Sequence, residues 1–145
     1  MYEQPREEHI VSDFQESYLE TQKEILAIET RKARNKLFAI AAVFFVSDLI
    51  ALLSINAVNP STLLIILIVP AAILLLSFLS TWEPLLSMVL AALVVIGVWA
   101  YVIWVLGAQG AVSGWLTKGL VVYLVIAGFQ SASEAQRIKR ELKTA

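Results

Sequence analysis

Charged side chains are nearly absent from the middle of this chain. Between Leu37 and Ser133 only Asp48, Glu83 and Lys118 carry charge, and all the other charged residues lie in the first 36 or the last 12 positions. A charge at the centre of a bilayer costs about 2.5–3.5 kcal/mol on insertion scales, so membrane-spanning segments exclude charged residues. The distribution therefore predicts a lipid-embedded middle between two water-exposed ends.

Composition supports a membrane protein and excludes several other classes. Hydrophobic residues make up 59% of the 145 positions, against about 45–50% in soluble domains. The absence of cysteine excludes a disulfide framework, a thiolate nucleophile and a cysteine-based metal site. The first apolar run begins only at Leu37, without a small-residue cleavage pattern, so we expect this span to remain in the mature protein as an anchor.

Four apolar runs predict an all-α, polytopic membrane domain over residues 37–132. A helix needs about 20 residues to cross about 30 Å of hydrocarbon. The fourth run is the weakest, and it spans if Lys118 snorkels to the interface; a re-entrant or surface-lying segment is the alternative. Because the connections are short, consecutive helices should be antiparallel, as in an up-down bundle. The predicted spans are about 37–56, 61–80, 84–106 and 115–132.

Basic residues predict the orientation of the chain. One cluster, Arg31–Lys36, precedes the first run, and a second, Arg137–Lys143, follows the fourth, whereas the loops after the first and third runs are uncharged. The positive-inside rule then places both termini in the cytoplasm, with the spans in the plasma (inner) membrane. Residues 1–36 should form a cytoplasmic helix continuous with the first span, and residues 133–145 a basic helical tail.

The N-terminal segment carries an apolar stripe with the 3-4-3-4-3 spacing of heptads. It extends over about two and a half heptads, fewer than the three to four of a well-defined coiled coil. We favour packing of this stripe on its own protein, with self-association as the second interpretation. Docking on lipid is disfavoured because the polar face is acidic. The stripe consists of Val11, Phe14, Tyr18, Ile25 and Ile28, with Thr21 as a weak member.

Acidic and basic residues in the two terminal segments predict a contact between the first and last helices. If those helices are adjacent, the N-terminal acids would face the basic tail in a mixed-sign stalk. Exposed ion pairs are worth only about 0–1 kcal/mol each, so such a stalk would mainly fix the register of the two helices. The residues concerned are Glu20, Glu24 and Glu29 on one side and Arg137, Lys139 and Arg140 on the other.

Asp48 is the strongest candidate for a functional residue. At about 1.5 Å per residue, it lies roughly 18 Å beyond Lys36, just past the middle of a 30 Å hydrocarbon core. An ionisable side chain at this depth is by default a candidate for proton or ion handling. The structural alternatives are a protonated carboxyl that hydrogen-bonds a neighbouring helix, an ion pair with Lys118, and a contact with a partner subunit.

Further polar residues predict a cluster in the outer half of the membrane domain. Tyr123 and Asn56 should lie near the depth of Asp48, together with the serines of the first run. The alternative is that each bonds its own helix backbone or a lipid headgroup.

Helix geometry depends on a proline, a turn and a few small residues. Pro70 should kink the second helix, and Glu83 should cap the third in a capping box with Ser80. The alternative for Glu83 is an ion pair with Lys36 or Arg137. Ser87 and Ala91, with Gly97 further on, permit close approach of another helix.

No sequence motif indicates catalysis. The chain lacks HExxH, GxSxG, P-loop and GxGxxG patterns, and its single histidine, His9, lies in the acidic N-terminal segment. We therefore expect no enzymatic activity, no metal, no cofactor and no nucleic-acid partner. The sequence indicates a structural or accessory membrane subunit that forms a homo-oligomer or joins a larger membrane complex through its cytoplasmic helices. The alternative is a small oligomeric channel or transporter that uses Asp48.

Overall fold

The computed structural model describes residues 4–54, 60–108 and 114–144. Within these ranges the regular structure is entirely helical, with four long α-helices and no strand, which confirms the all-α prediction. The helices are α1 (Gln4–Ser54), α2 (Pro60–Leu79), α3 (Pro84–Leu106) and α4 (Trp115–Thr144).

Three of these helices are long and apolar enough to span a membrane. The qualifying stretches are Val11–Ser54, Pro84–Val105 and Trp115–Lys143. The fourth apolar run, the weakest in sequence, is thus one of the three. In α2 the qualifying apolar stretch, Ile66–Leu79, is shorter. Large apolar side chains cover much of the exterior of α3 and α4, a distribution compatible with a membrane location.

Helix α1 joins the charged N-terminal segment and the first apolar run without a break. It contains 51 residues, which at 1.5 Å per residue gives a length of about 77 Å. This is well over twice the thickness of the hydrocarbon core, about 30 Å. A large part of α1 therefore extends beyond any bilayer that its apolar part crosses.

The core forms where α1 packs against the other helices. α1 contacts α4 and α2 extensively, α3 contacts α4 and α2, and α1 touches α3 only slightly. The α1 side of the core is a stripe at intervals of three and four residues, and all of its members are at least 93% buried. This inward stripe comprises Ala33, Leu37, Ile40, Ala41 and Phe44.

Small residues on α4 allow three helices to meet closely. A Cβ atom added at Gly128 would lie 1.8 Å from Met88 Cε on α3 and 3.4 Å from Lys36 Cβ on α1. Ala132, one turn further along α4, is fully buried. The small-xxx-small spacing of Gly128 and Ala132 is the sequence signal for this crossing.

The small residues predicted on α3 are only partly used. Ser87 and Ala91 are fully buried, as close packing of another helix requires. Gly97 is exposed, and an added Cβ there would meet nothing within 4 Å. The prediction that Gly97 permits close approach is therefore wrong, and Gly128 has that role instead.

The turn between α2 and α3 lacks the predicted capping box. Glu83 is the N-cap of α3, but its side chain makes no cap hydrogen bond. The Ser80 hydroxyl is buried and donates to the carbonyl of Ser77 at 2.7 Å. Pro84 begins the helix, and its fixed φ suits the first helical position. The capping-box prediction was wrong because both side chains take other partners.

Candidate functional site

The N-terminal stripe is exposed along its whole length. At 100° per residue, this face lies about a third of a turn around α1 from the inward stripe, and all of its members are exposed. The interpretation that this stripe packs on its own protein was therefore wrong. The exposed fractions are 56% for Val11, 78% for Phe14, 56% for Tyr18, 38% for Ile25 and 52% for Ile28.

The polar atoms of the N-terminal stripe are satisfied within α1 itself. The Thr21 hydroxyl donates to the carbonyl of Ser17 at 2.9 Å. The Tyr18 hydroxyl accepts a hydrogen bond from Gln22 Nε2 at 3.1 Å. The threonine methyl and the tyrosine ring thus remain available for apolar contact, and each hydroxyl oxygen already takes part in one hydrogen bond within α1.

Asp48 continues the inward stripe of α1. It lies four residues after Phe44, which is 93% buried, and residues at this spacing share a helix face. The side chain itself is half-buried. Among the residues that the structure describes, none forms a hydrogen bond or ion pair with the Asp48 carboxylate. The sequence correctly singled out this residue, and the helix geometry adds that it faces inward.

Tyr123 does not join Asp48 in a polar cluster. It is 63% exposed, and its ring centroid lies 6.0 Å from Lys36 Nζ, within the range of a cation–π contact. Lys36 is twelve residues from Asp48 along α1, so Tyr123 lies at a different level from the one predicted. Helix packing in register, which one sequence does not reveal, decides this placement.

Lys118 and Ser54, two further polar candidates that the structure describes, lie on different helices. Lys118 is half-buried in the first turn of α4, and its backbone N–H donates to the carbonyl of Gly114 at 2.9 Å. The Ser54 hydroxyl donates to the carbonyl of Ile50 at 2.8 Å. It thus bonds its own helix backbone, which was the alternative to a polar cluster. Asn56 lies outside the described residues. Pro70 is buried within α2, which remains helical from Pro60 to Leu79.

A polar contact joins the α2–α3 turn to α4 through Lys139 and Gln136, which the sequence analysis did not name as partners of Glu83. Lys139 Nζ lies 2.9 Å from Glu83 Oε1, and it also donates to the carbonyl of Trp82. Gln136 Nε2 donates to Glu83 Oε2 at 3.4 Å. The hydrogen bond and positive charge of Lys139 lower the pKa of the Glu83 carboxyl. We expected Glu83 to cap α3, with Lys36 or Arg137 as alternative partners.

Two bases of the predicted mixed-sign stalk, Arg137 and Lys139, pair with residues outside α1. Arg137 contacts Glu134 at 2.7 Å and Glu141 at 3.6 Å, all on α4. Lys32 pairs with Glu29 at 2.6 Å on α1. Together with the Lys139–Glu83 contact, these pairs leave neither Arg137 nor Lys139 to hold α1.

Comparison with known proteins does not assign the chain to a family. No protein-family model, no curated protein and no solved structure matches it. What the chain does is therefore inferred from its own residues.

Proposed function

We propose that this chain is a small integral protein of the plasma (inner) membrane, with four spans in an up-down bundle and both termini in the cytoplasm. Contacts along α1 and α4 support the alternation. Lys36 lies beside Gly128, whereas Ser47 and Ile50, further along α1, line a groove with Thr117, earlier in α4. The two helices therefore run in opposite directions.

Contacts of α3 agree with the same arrangement. Met88, near the start of α3, lies at Gly128. Trp99, eleven residues later, lines a small apolar cleft with Val122, earlier in α4. Because α3 and α4 are antiparallel as well, α1 and α3 point the same way, as an up-down bundle requires. In this arrangement α2, with its 20 residues, is the remaining span.

Basic residues at both ends support the orientation, and single cysteines test it. The native chain contains no cysteine, so each introduced thiol reports alone. With an impermeant maleimide added outside intact cells, Arg6→Cys and Lys143→Cys should label only after permeabilisation. Ser113→Cys, in the predicted outer loop, should label directly. Outside labelling of either terminal cysteine would contradict the orientation.

Within the membrane, we propose that the protein is a non-catalytic structural or accessory subunit that associates with a second copy of itself. The observation that carries this proposal is the N-terminal stripe: five large apolar side chains at heptad spacing, all exposed along one face of α1. Leaving such a face in water is unfavourable by about 25 cal/mol per Å² of apolar area.

Membrane anchoring makes a short stripe sufficient for pairing. Two and a half heptads are marginal for a free peptide, because a well-defined coiled coil takes three to four heptads. Here the stripe belongs to a 51-residue helix that is continuous with the apolar run. The membrane also holds two copies in the same plane and orientation, which raises their effective concentration. A parallel pair of α1 helices follows from this.

Mass measurement in nanodiscs or mild detergent tests self-association. The wild type should be a dimer or a higher oligomer, and the double variant Phe14→Ser, Tyr18→Ser should be mainly monomeric. Glu16→Ala, an exposed change on the opposite face of α1, should leave the mass unchanged. A monomeric wild type, or a double variant with unaltered mass, would remove the proposal.

The inward position of Asp48 favours one alternative, a small oligomeric channel or transporter. Its carboxylate has no partner among the described residues, and it continues a buried stripe, as an ion- or proton-contacting group would. In liposomes, wild-type protein would then conduct ions or protons, and Asp48→Asn would reduce the flux at least tenfold. Wild-type liposomes that stay tight under every imposed gradient exclude this alternative.

A further inference from the structure

A cleft rich in cations lies where α1 approaches the α2–α3 turn. It has a volume of about 340 Å³, and α1 supplies every lining residue except Thr81, which comes from the turn. Three of the lining residues are basic, two carry hydroxyl groups, and none is acidic. The α1 residues are Lys23, Leu26, Ala27, Thr30, Arg31 and Arg34.

The three cations of this basic cleft have no partner among the residues that the structure describes. Within the described part of the chain, Lys23, Arg31 and Arg34 take part in no hydrogen bond and no ion pair. Bases elsewhere are neutralised locally: Lys32 by Glu29, Lys139 by Glu83 and Arg137 by two glutamates. Among the described residues, the cleft thus gathers three bases without a carboxylate partner.

Arg34 provides the sharpest indication of a ligand. Its Nε atom is buried and has no hydrogen-bond partner. A buried donor without an acceptor costs about 1–3 kcal/mol, and more when it is charged. A guanidinium presents its N–H groups in a fork that matches the oxygens of a phosphate. A phosphate in the cleft would give this side chain the acceptor that the protein itself does not supply.

The surroundings of the cleft place it at the level of lipid headgroups. Three residues after Arg34, the apolar run of α1 begins at Leu37. Trp82, next to Thr81, is 74% exposed, and exposed tryptophans are typical of the membrane–water interface. Basic pockets of this kind, at the cytoplasmic ends of spanning helices, attract anionic headgroups.

We propose that this basic cleft binds a phosphate-bearing anion, held by Lys23, Arg31 and Arg34 with the hydroxyl groups of Thr30 and Thr81. The phosphate comes either from the headgroup of an anionic phospholipid or from a soluble phosphate. Positive-inside topology alone accounts for the number of bases here, but not for a buried guanidinium nitrogen without a partner. The inference does not depend on self-association, because the cleft and the N-terminal stripe lie on opposite faces of α1.

The test compares two probes on the full-length protein in detergent. Phosphatidylglycerol, with phosphatidylcholine as the uncharged reference, is titrated by native mass spectrometry, and inorganic phosphate is titrated by the thermal unfolding midpoint. We expect phosphatidylglycerol to bind at least tenfold more tightly than phosphatidylcholine. Each cation removed, in Lys23→Gln or Arg34→Gln, should weaken binding about fivefold or more.

Lys32→Gln is the matched control, since it removes one charge from the same helix but outside the cleft. Lys23 is exposed, so its substitution does not disturb the fold even if Arg34→Gln does. Selective binding of phosphatidylglycerol that falls in Lys23→Gln and not in Lys32→Gln supports the lipid source. Inorganic phosphate binding with the same variant pattern, without lipid preference, supports the soluble source. Binding of neither probe, or equal losses in Lys23→Gln and Lys32→Gln, overturns the proposal.

Discussion

The three charged residues of the apolar middle have three different environments. Glu83 is held by Lys139 and Gln136 at a turn. Lys118 lies in the first turn of a helix, where a long side chain can extend to water. Asp48 is half-buried on the inward face of α1. Only Asp48 therefore has a position that membrane threading alone does not explain.

The Glu83–Lys139 contact predicts a loss of stability in acid. Lys139 lowers the pKa of Glu83 from its ordinary value of 4.5. A carboxyl with a lowered folded-state pKa stabilises the fold above its unfolded-state pKa, and this contribution disappears as the pH falls below about 4.5 through the lowered value. The thermal midpoint should thus fall between about pH 5 and pH 3, and fall less in Glu83→Gln. Identical pH profiles for the two proteins would contradict this role, and Glu16→Gln should behave like the wild type.

Adding one methyl group at Gly128 should clearly lower the stability of the fold. In Gly128→Ala the new Cβ would overlap Met88 Cε, and Met88 is fully buried. The flexible end of Met88 must then move within a packed site, and overpacking of a core costs about 1–3 kcal/mol. We expect this cost to exceed the gain in helix propensity, about 1 kcal/mol, because Met88 has no exposed surface into which it can shift. The control is Gly119→Ala on the same helix, where an added Cβ meets nothing within 4 Å. Denaturant unfolding should rank Gly128→Ala below the wild type and Gly119→Ala at or above it. Equal stabilities for the two variants would show that the helices are not closely packed at Gly128.

Helix α1 presents different faces to different surroundings. Its inward stripe packs in the core with the other helices, and its N-terminal stripe is exposed. The cations Lys23, Arg31 and Arg34 line the basic cleft. If α1 pairs in parallel with Tyr18 and Ile25 at a positions, Glu24 falls at a g position and faces Glu29 of a second copy. Like charges placed this way weaken pairing.

Reversing the charge at this position should therefore strengthen self-association. Glu24→Lys is expected to lower the dissociation constant about two- to fivefold, because one exposed charge pair is worth about 0.2–1 kcal/mol. The gain should shrink at high salt. Glu20→Lys makes the same charge change at an outer position and should have little effect. Energy transfer between labelled copies in liposomes at several dilutions measures both. An unchanged or weaker association in Glu24→Lys would exclude the parallel register.

The helices themselves were predictable from the sequence, and their contacts were not. Prolines and glycines bound the apolar runs, so α3 begins and ends where predicted and α2 differs by one residue at each end. Periodicity also identified the N-terminal stripe, but it defines a face without naming what covers that face. The Lys139–Glu83 contact joins residues 56 positions apart, and the exposure of Tyr123 depends on helix register. Such features follow from tertiary packing, which periodicity does not encode.

In the whole molecule, three regions with different surroundings follow one another along α1. The apolar part packs with the other helices, Arg34 and its neighbours lie at the edge of that packed region, and the N-terminal stripe extends beyond it. A single helix of 51 residues connects these parts. In our proposal, two copies of the protein associate in parallel through the N-terminal stripe, within one membrane.

Cysteine cross-linking in native membranes tests that claim most directly. In a parallel pair, residue 14 of one copy faces residue 14 of the other at a core position, within the Cα separation of about 4.4–6.8 Å that a disulfide requires. Phe14→Cys should therefore form a covalent dimer under mild oxidation, whereas Glu16→Cys, exposed on the opposite face of α1, should remain monomeric. No dimer from Phe14→Cys, or equal dimer yields from both variants, would contradict the account.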